Sequence, residues 1–124
     1  MLGNAVILVV EDEADSMELI QGILEYHGVE SVGAATAEQA LAQLESLTPQ
    51  MIIIDLSLPK MDGWSLMQTI ADYPTLRHTK RVAITAYHKP GLGSQAIEAG
   101  FDAYFPKPID ATSFVRELEI IMNE

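Results

Sequence analysis

Two segments of this chain are apolar at every position, Ala5-Val6-Ile7-Leu8-Val9-Val10 and Met51-Ile52-Ile53-Ile54. A strand with one wet face alternates apolar and polar residues. Unbroken runs instead describe strands covered on both sides, as in a parallel sheet held between two layers of helices. Val29 to Ala34, Arg81 to Ile84 and Ala103-Tyr104-Phe105 supply three further strands. Between them the apolar period becomes helical. Asp15 with Glu18 forms a capping-box pattern ahead of Met17, Ile20, Ile23 and Leu24, and Gly28 closes that helix. Thr36 with Gln39 repeats the pattern ahead of Ala37, Ala40, Leu41 and Leu44, in a helix that ends before Pro49. The turn from Leu58 to Gly63 leads into a third helix carrying Trp64, Leu66, Met67 and Ile70. A loop with Pro90, Gly91 and Gly93 precedes a short fourth helix that stops at Gly100, and this loop is the expected mobile segment. Asp110 or Thr112 caps a last helix through Phe114, Val115, Leu118, Ile121 and Met122. Five strand-helix units in alternation predict a doubly wound α/β sheet with right-handed crossovers.

Four of these strands run out at polar residues: Glu11 and Asp12, Asp55, Thr85 and Lys107. Strand tips of a parallel sheet share one edge, so these groups are expected to converge on one cleft. Two carboxylates about 4 Å apart repel by roughly 4 kcal/mol at an effective dielectric near 20, so Glu11, Asp12 and Asp55 together call for a cation. Oxygen donors without His or Cys suit a hard ion, and Mg2+ is the expected one, with Mn2+ the alternative. Lys107 is a compact charge able to pair with the central carboxylate or a phosphoryl oxygen, and Thr85 adds a hydroxyl donor. Asp55 is the candidate nucleophile for a phosphoryl group, because fixed positive groups would meet the charge on the transferring oxygens. An acyl phosphate there would add charge and acceptor oxygens that Thr85 and Lys107 could move to meet.

Composition narrows the partners. With 18 Asp+Glu against 7 Lys+Arg the formal charge is −11, which argues against direct nucleic-acid binding. No cysteine is present, so there is no disulfide framework and no thiolate site. The start of the chain lacks a basic signal region and no spanning apolar stretch occurs, so neither export nor membrane insertion is expected and the expected location is cytoplasmic. His27, His78 and His88 show no ligand spacing and are expected at the surface or at helix ends.

The acidic pair after the first strand, Asp55 in Asp55-Leu56-Ser57-Leu58-Pro59-Lys60-Met61-Asp62-Gly63, Thr85-Ala86, and Tyr104-Phe105-Pro106-Lys107-Pro108 together resemble a response-regulator receiver domain, over essentially the whole chain. The resemblance implies one flavodoxin-like (βα)5 domain across residues 1–124, strand order 2-1-3-4-5, with no output domain. It further implies that Asp55 accepts phosphate from a histidine kinase or a histidine phosphotransfer protein. Asp12, Asp55 and the Ser57 carbonyl would bind Mg2+ directly and Glu11 through water. Thr85 and Lys107 become the switch contacts, Tyr104 the switch aromatic, and Lys107-Pro108 a cis bond. Signal would leave through the face of the fourth helix, fifth strand and fifth helix, to a downstream protein target or a phosphorylation-dependent homodimer. A turnover enzyme is not expected. Two competing readings are a phosphate-independent scaffold and a phosphatase of the haloacid-dehalogenase kind; the latter generally wants an Asp where Ser57 stands. The chain also departs from the family pattern: Glu11 replaces a common Asp, Lys60 a common glycine, and Pro106 is unusual before the lysine. Ser57 and Tyr87 occupy positions that tune hydrolysis, and bulky Tyr87 is expected to shield an acyl phosphate.

Overall fold

The computed structural model describes residues 4–124 and alternates strand with helix along its length. The elements are β1 (Val6–Val10), α1 (Ala14–Tyr26), β2 (Glu30–Ala34), α2 (Ala37–Gln43), β3 (Met51–Asp55), α3 (Gly63–Ile70), β4 (Lys80–Thr85), α4 (Leu92–Glu98), β5 (Ala103–Pro106) and α5 (Phe114–Met122). A single 3-10 turn, Pro74–Leu76, lies before β4 and had no expected counterpart. All strand pairs are parallel, in the order β2-β1-β3-β4-β5, so the expected fold and order hold. β3 is at the centre and buried along its whole length, which is why its sequence does not alternate.

Successive residues of each central strand feed opposite layers. Ile7, Val9, Ile53, Val82 and Ile84 pack with Ile20 and Leu24 of α1 and Phe114 and Leu118 of α5. Leu8, Val10, Ile52, Ile54 and Ala83 pack on the other side with Leu66, Met67 and Ile70 of α3 and Ala96 of α4. Two complete layers fix the sheet, and the carboxyl ends of β1, β3, β4 and β5 are thereby brought to one edge.

Helix starts only partly follow the expected chemistry. Thr36 caps α2 as expected, its Oγ1 accepting from the Gln39 N–H at 3.0 Å while Gln39 Oε1 accepts from Ala35 at 2.8 Å. Asp15 does not cap α1: the helix starts earlier, after Glu13, and has no side-chain cap. Asp15 instead lies in its first turn, where a carboxylate complements the helix dipole. Neither Asp110 nor Thr112 caps α5, which starts after Ser113. Asp110 Oδ1 is taken up by the Thr112 N–H and hydroxyl at 2.9 and 2.7 Å, a local turn that competes with capping. Gly93, expected in the loop, belongs to α4, which is entered through Gly91 at φ 85°.

Candidate functional site

The edge carrying the strand tips is built around buried Glu11 and Asp55, which are 1% and 3% exposed. Asp12, the next residue along from Glu11, is exposed at the mouth. One carboxylate oxygen from each of these three residues lies within 4.8 Å of the others. Lys107, just beyond β5, reaches into the cluster: its Nζ is 2.9 Å from Glu11 Oε2, 3.0 Å from Glu11 Oε1 and 3.1 Å from Asp55 Oδ2. Asp55 Oδ1 accepts from the Ser57 N–H at 2.9 Å. Both Asp55 oxygens are therefore oriented by named donors.

Thr85, at the end of β4, is buried, and its Oγ1 accepts from the Tyr87 N–H at 3.1 Å and is 3.4 Å from Ser57 Oγ. The loop after β3 depends on Gly63. A Cβ there would collide with the Asp55 carbonyl oxygen and stand 2.7 Å from Leu56 Cα, so only glycine lets α3 start this close to the end of β3. Asp62 Oδ1 then caps α3 by accepting from Ser65 at 2.8 Å. Lys60, in the same loop, adopts φ 62°, the backbone region for which glycine is the usual choice. The Lys107-Pro108 bond is cis.

Burial pushes the Glu11 carboxyl up from 4.5 to about 7, with Lys107 opposing this and Asp55 reinforcing it. Burial alone would lower Lys107, but its hydrogen bonds to Glu11 and Asp55 and their charges raise it, so the ammonium form is held. The lysine neutralises part of the acidic cluster and leaves it with excess negative charge. Among the described residues Glu11 Oε2 has no hydrogen bond of good geometry, despite the nearby ammonium. A donor set of carboxylates with spare acceptor capacity, and no nitrogen or sulfur ligand, fits a hard divalent cation.

Five expected site residues, Glu11, Asp12, Asp55, Thr85 and Lys107, thus stand at one edge with Ser57. Tyr104 does not join them. Its ring lies against α4 near Gly93, and its hydroxyl meets His88 Nδ1 at 2.6 Å. Tyr87 is 74% exposed. Sequence reasoning missed Glu13, whose N–H donates to Glu11 Oε1 at 3.2 Å and whose carboxylate is 3.9 Å from Lys107. The run Glu11-Asp12-Glu13 was a visible signal, although a loop carboxylate is ordinarily just solvated. Trp64 packs edge-on against Phe101 with centroids 6.0 Å apart, a packing role as expected.

Known proteins resemble this chain in sequence and fold. A 14.6 kDa protein of Leptolyngbya boryana is 33% identical, over 89% of this chain and 84% of its own. The polar-differentiation response regulator DivK of Brucella ovis is 26% identical, over 95% and 96%. Among solved structures, the CheY-like response regulator receiver domains of Methanospirillum hungatei and Methylobacillus flagellatus superpose with TM-scores of 0.84 and 0.83 at 28% and 31% identity. The first match covers 96% of this chain and 94% of the other, the second 94% and 98%. A family model described as the response regulator receiver domain matches residues 7–119, from β1 into α5, and with that match the fold, the acidic edge and the relatives agree that this chain belongs to the response-regulator receiver family.

Proposed function

We propose that the protein is a phosphorylation-switched receiver in which Asp55 takes a phosphoryl group from a histidine kinase or a histidine phosphotransfer protein. The carrying observation is the bracketing of Asp55: Lys107 holds one carboxylate oxygen at 3.1 Å and the Ser57 N–H holds the other at 2.9 Å. Transfer breaks the P–N bond of a phosphohistidine and forms a P–O bond to Asp55, and the leaving imidazole takes up a proton. Asp12, Asp55 and the Ser57 carbonyl would hold Mg2+, with Glu11 acting through water; Mn2+ suits the same donors. The bound ion supplies fixed positive charge facing the phosphoryl oxygens. Lys107 supplies a second positive charge, and its Glu11 contact keeps the ammonium aimed at Asp55. Thr85 offers its hydroxyl to a phosphoryl oxygen, and its movement draws on the loop after β4.

Receiver domains are signalling modules rather than turnover enzymes, and here Ser57 leaves no second carboxyl two residues beyond Asp55 to act as acid and base. The output we propose is a change in the α4-β5-α5 face, read in the cytoplasm by a downstream protein or a second copy of the chain. No helix among the described residues is long and apolar enough to cross a membrane. The test is intact mass after acetyl phosphate with Mg2+. Wild type should gain one phosphoryl group and Asp55→Asn none; equal gain in both would move the acceptor elsewhere.

A further inference from the structure

The loop after β4 carries a contact that the phosphoryl chemistry does not use. Tyr104 Oη and His88 Nδ1 are 2.6 Å apart, and their rings stack at a tilt of 32° with centroids 5.6 Å apart. The Tyr104 ring also lies beside the first turn of α4: a Cβ on Gly93 would stand 3.5 Å from Tyr104 Cδ2. Among the described residues no other side chain hydrogen-bonds the Tyr104 hydroxyl. The ring is therefore held by one polar partner, and that partner lies on the short loop that follows Thr85. The stretch 85–88 is tied internally as well, since the Tyr87 N–H donates to Thr85 Oγ1 at 3.1 Å. A displacement of Thr85 toward Asp55 must break that hydrogen bond or drag residue 87, and His88 with it.

We propose that His88 is the positioning residue of the switch: its Nδ1 contact with the Tyr104 hydroxyl holds the ring against α4, and movement of the Thr85 loop withdraws His88 and frees the ring. The inference rests on the receiver reading above, in which Thr85 and Tyr104 are the switch pair. With Nδ1 unprotonated the imidazole accepts from the phenol, and with Nδ1 carrying its hydrogen it donates to the phenol oxygen, so either tautomer makes the contact. It is a hydrogen bond between exposed groups, and its loss shifts a rotamer equilibrium rather than unfolding the domain.

The test is the side-chain rotamer population of Tyr104, from three-bond couplings in isotope-labelled full-length protein, at rest and after acetyl phosphate with Mg2+. A net hydrogen bond of ordinary strength corresponds to about a two- to tenfold change in the resting ratio of rotamers on His88→Ala. His88→Asn, which keeps a polar atom near the Nδ1 position, should recover most of it. With Tyr104→Phe already present, His88→Ala should move the ring at position 104 by much less, because the hydroxyl is gone. A wild-type ring that moves on phosphorylation but ignores His88→Ala at rest overturns the latch alone. A wild-type ring that keeps one population with and without phosphate overturns Tyr104 as the switch, and the latch with it.

Discussion

Glu11 shows how a single buried acid couples the site to the stability of the fold. Its carboxyl is pushed by burial from 4.5 to about 7, so the folded protein keeps this proton over a range where the unfolded chain has released it. More protons bound in the folded state means that stability falls as pH rises from about 4.5 to about 7, and levels off above. Urea midpoints measured in EDTA across that window should decline more steeply in wild type than in Glu11→Gln. Parallel profiles would mean that Glu11 is ionised throughout. The second prediction at this scale concerns Tyr87, a residue that is 74% exposed and so must fold over the site after phosphorylation if it is to exclude water. Tyr87→Ala is expected to shorten the acyl-phosphate lifetime several-fold, followed as loss of the phosphoryl mass with time. An unchanged lifetime removes the shielding role.

At the scale of elements, the join between β3 and α3 is the most constrained. Gly63→Ala forces a methyl group against the Asp55 carbonyl and Leu56 Cα, backbone atoms that cannot rotate away. Overpacking of this kind costs about 1–3 kcal/mol, and a lowered urea midpoint with reduced acetyl-phosphate reactivity should appear together because the clash is at the proposed phosphoacceptor, Asp55. Loss of stability with full reactivity would separate the two. The Asp62-Gly63 pair was legible in the sequence as a turn, but not as a close approach, since contact across the loop has no local pattern. Strands were legible for the opposite reason: residues such as Ile52 to Ile54, buried on both faces, leave a run that polar spacing cannot imitate. Helix starts were less so. Asp15 and Asp110 carry capping chemistry, yet α1 starts one residue before Asp15 and Asp110 spends its oxygen on Thr112, because a local turn can satisfy the same side chain as a helix cap.

At the scale of the molecule, residue patterns alone reach a parallel α/β sheet but not its strand order, which is set by contacts between strands far apart in sequence; here the order came from the family likeness. The convergence at the sheet edge was legible because strand direction is shared, whereas His88 was not, because an exposed histidine has no pattern until Tyr104 is placed beside it. Whole-molecule charge gives the last prediction. A formal charge of −11 makes any salt stabilise the fold somewhat by screening, so a rise in melting temperature with Mg2+ is not by itself a site. Specific binding to the folded state adds about 2.7 kcal/mol at a hundredfold excess over Kd, on the order of 10 °C for a domain of this size. That increment, measured against NaCl at matched ionic strength, should saturate in wild type and shrink strongly in Asp12→Asn, which removes an exposed carboxylate without emptying the core. Removing one charge at a surface position such as Glu45→Gln should leave it intact, since screening depends on total charge and coordination on Asp12. Equal responses in all three proteins would show that the acidic edge attracts Mg2+ as a diffuse atmosphere rather than a ligand.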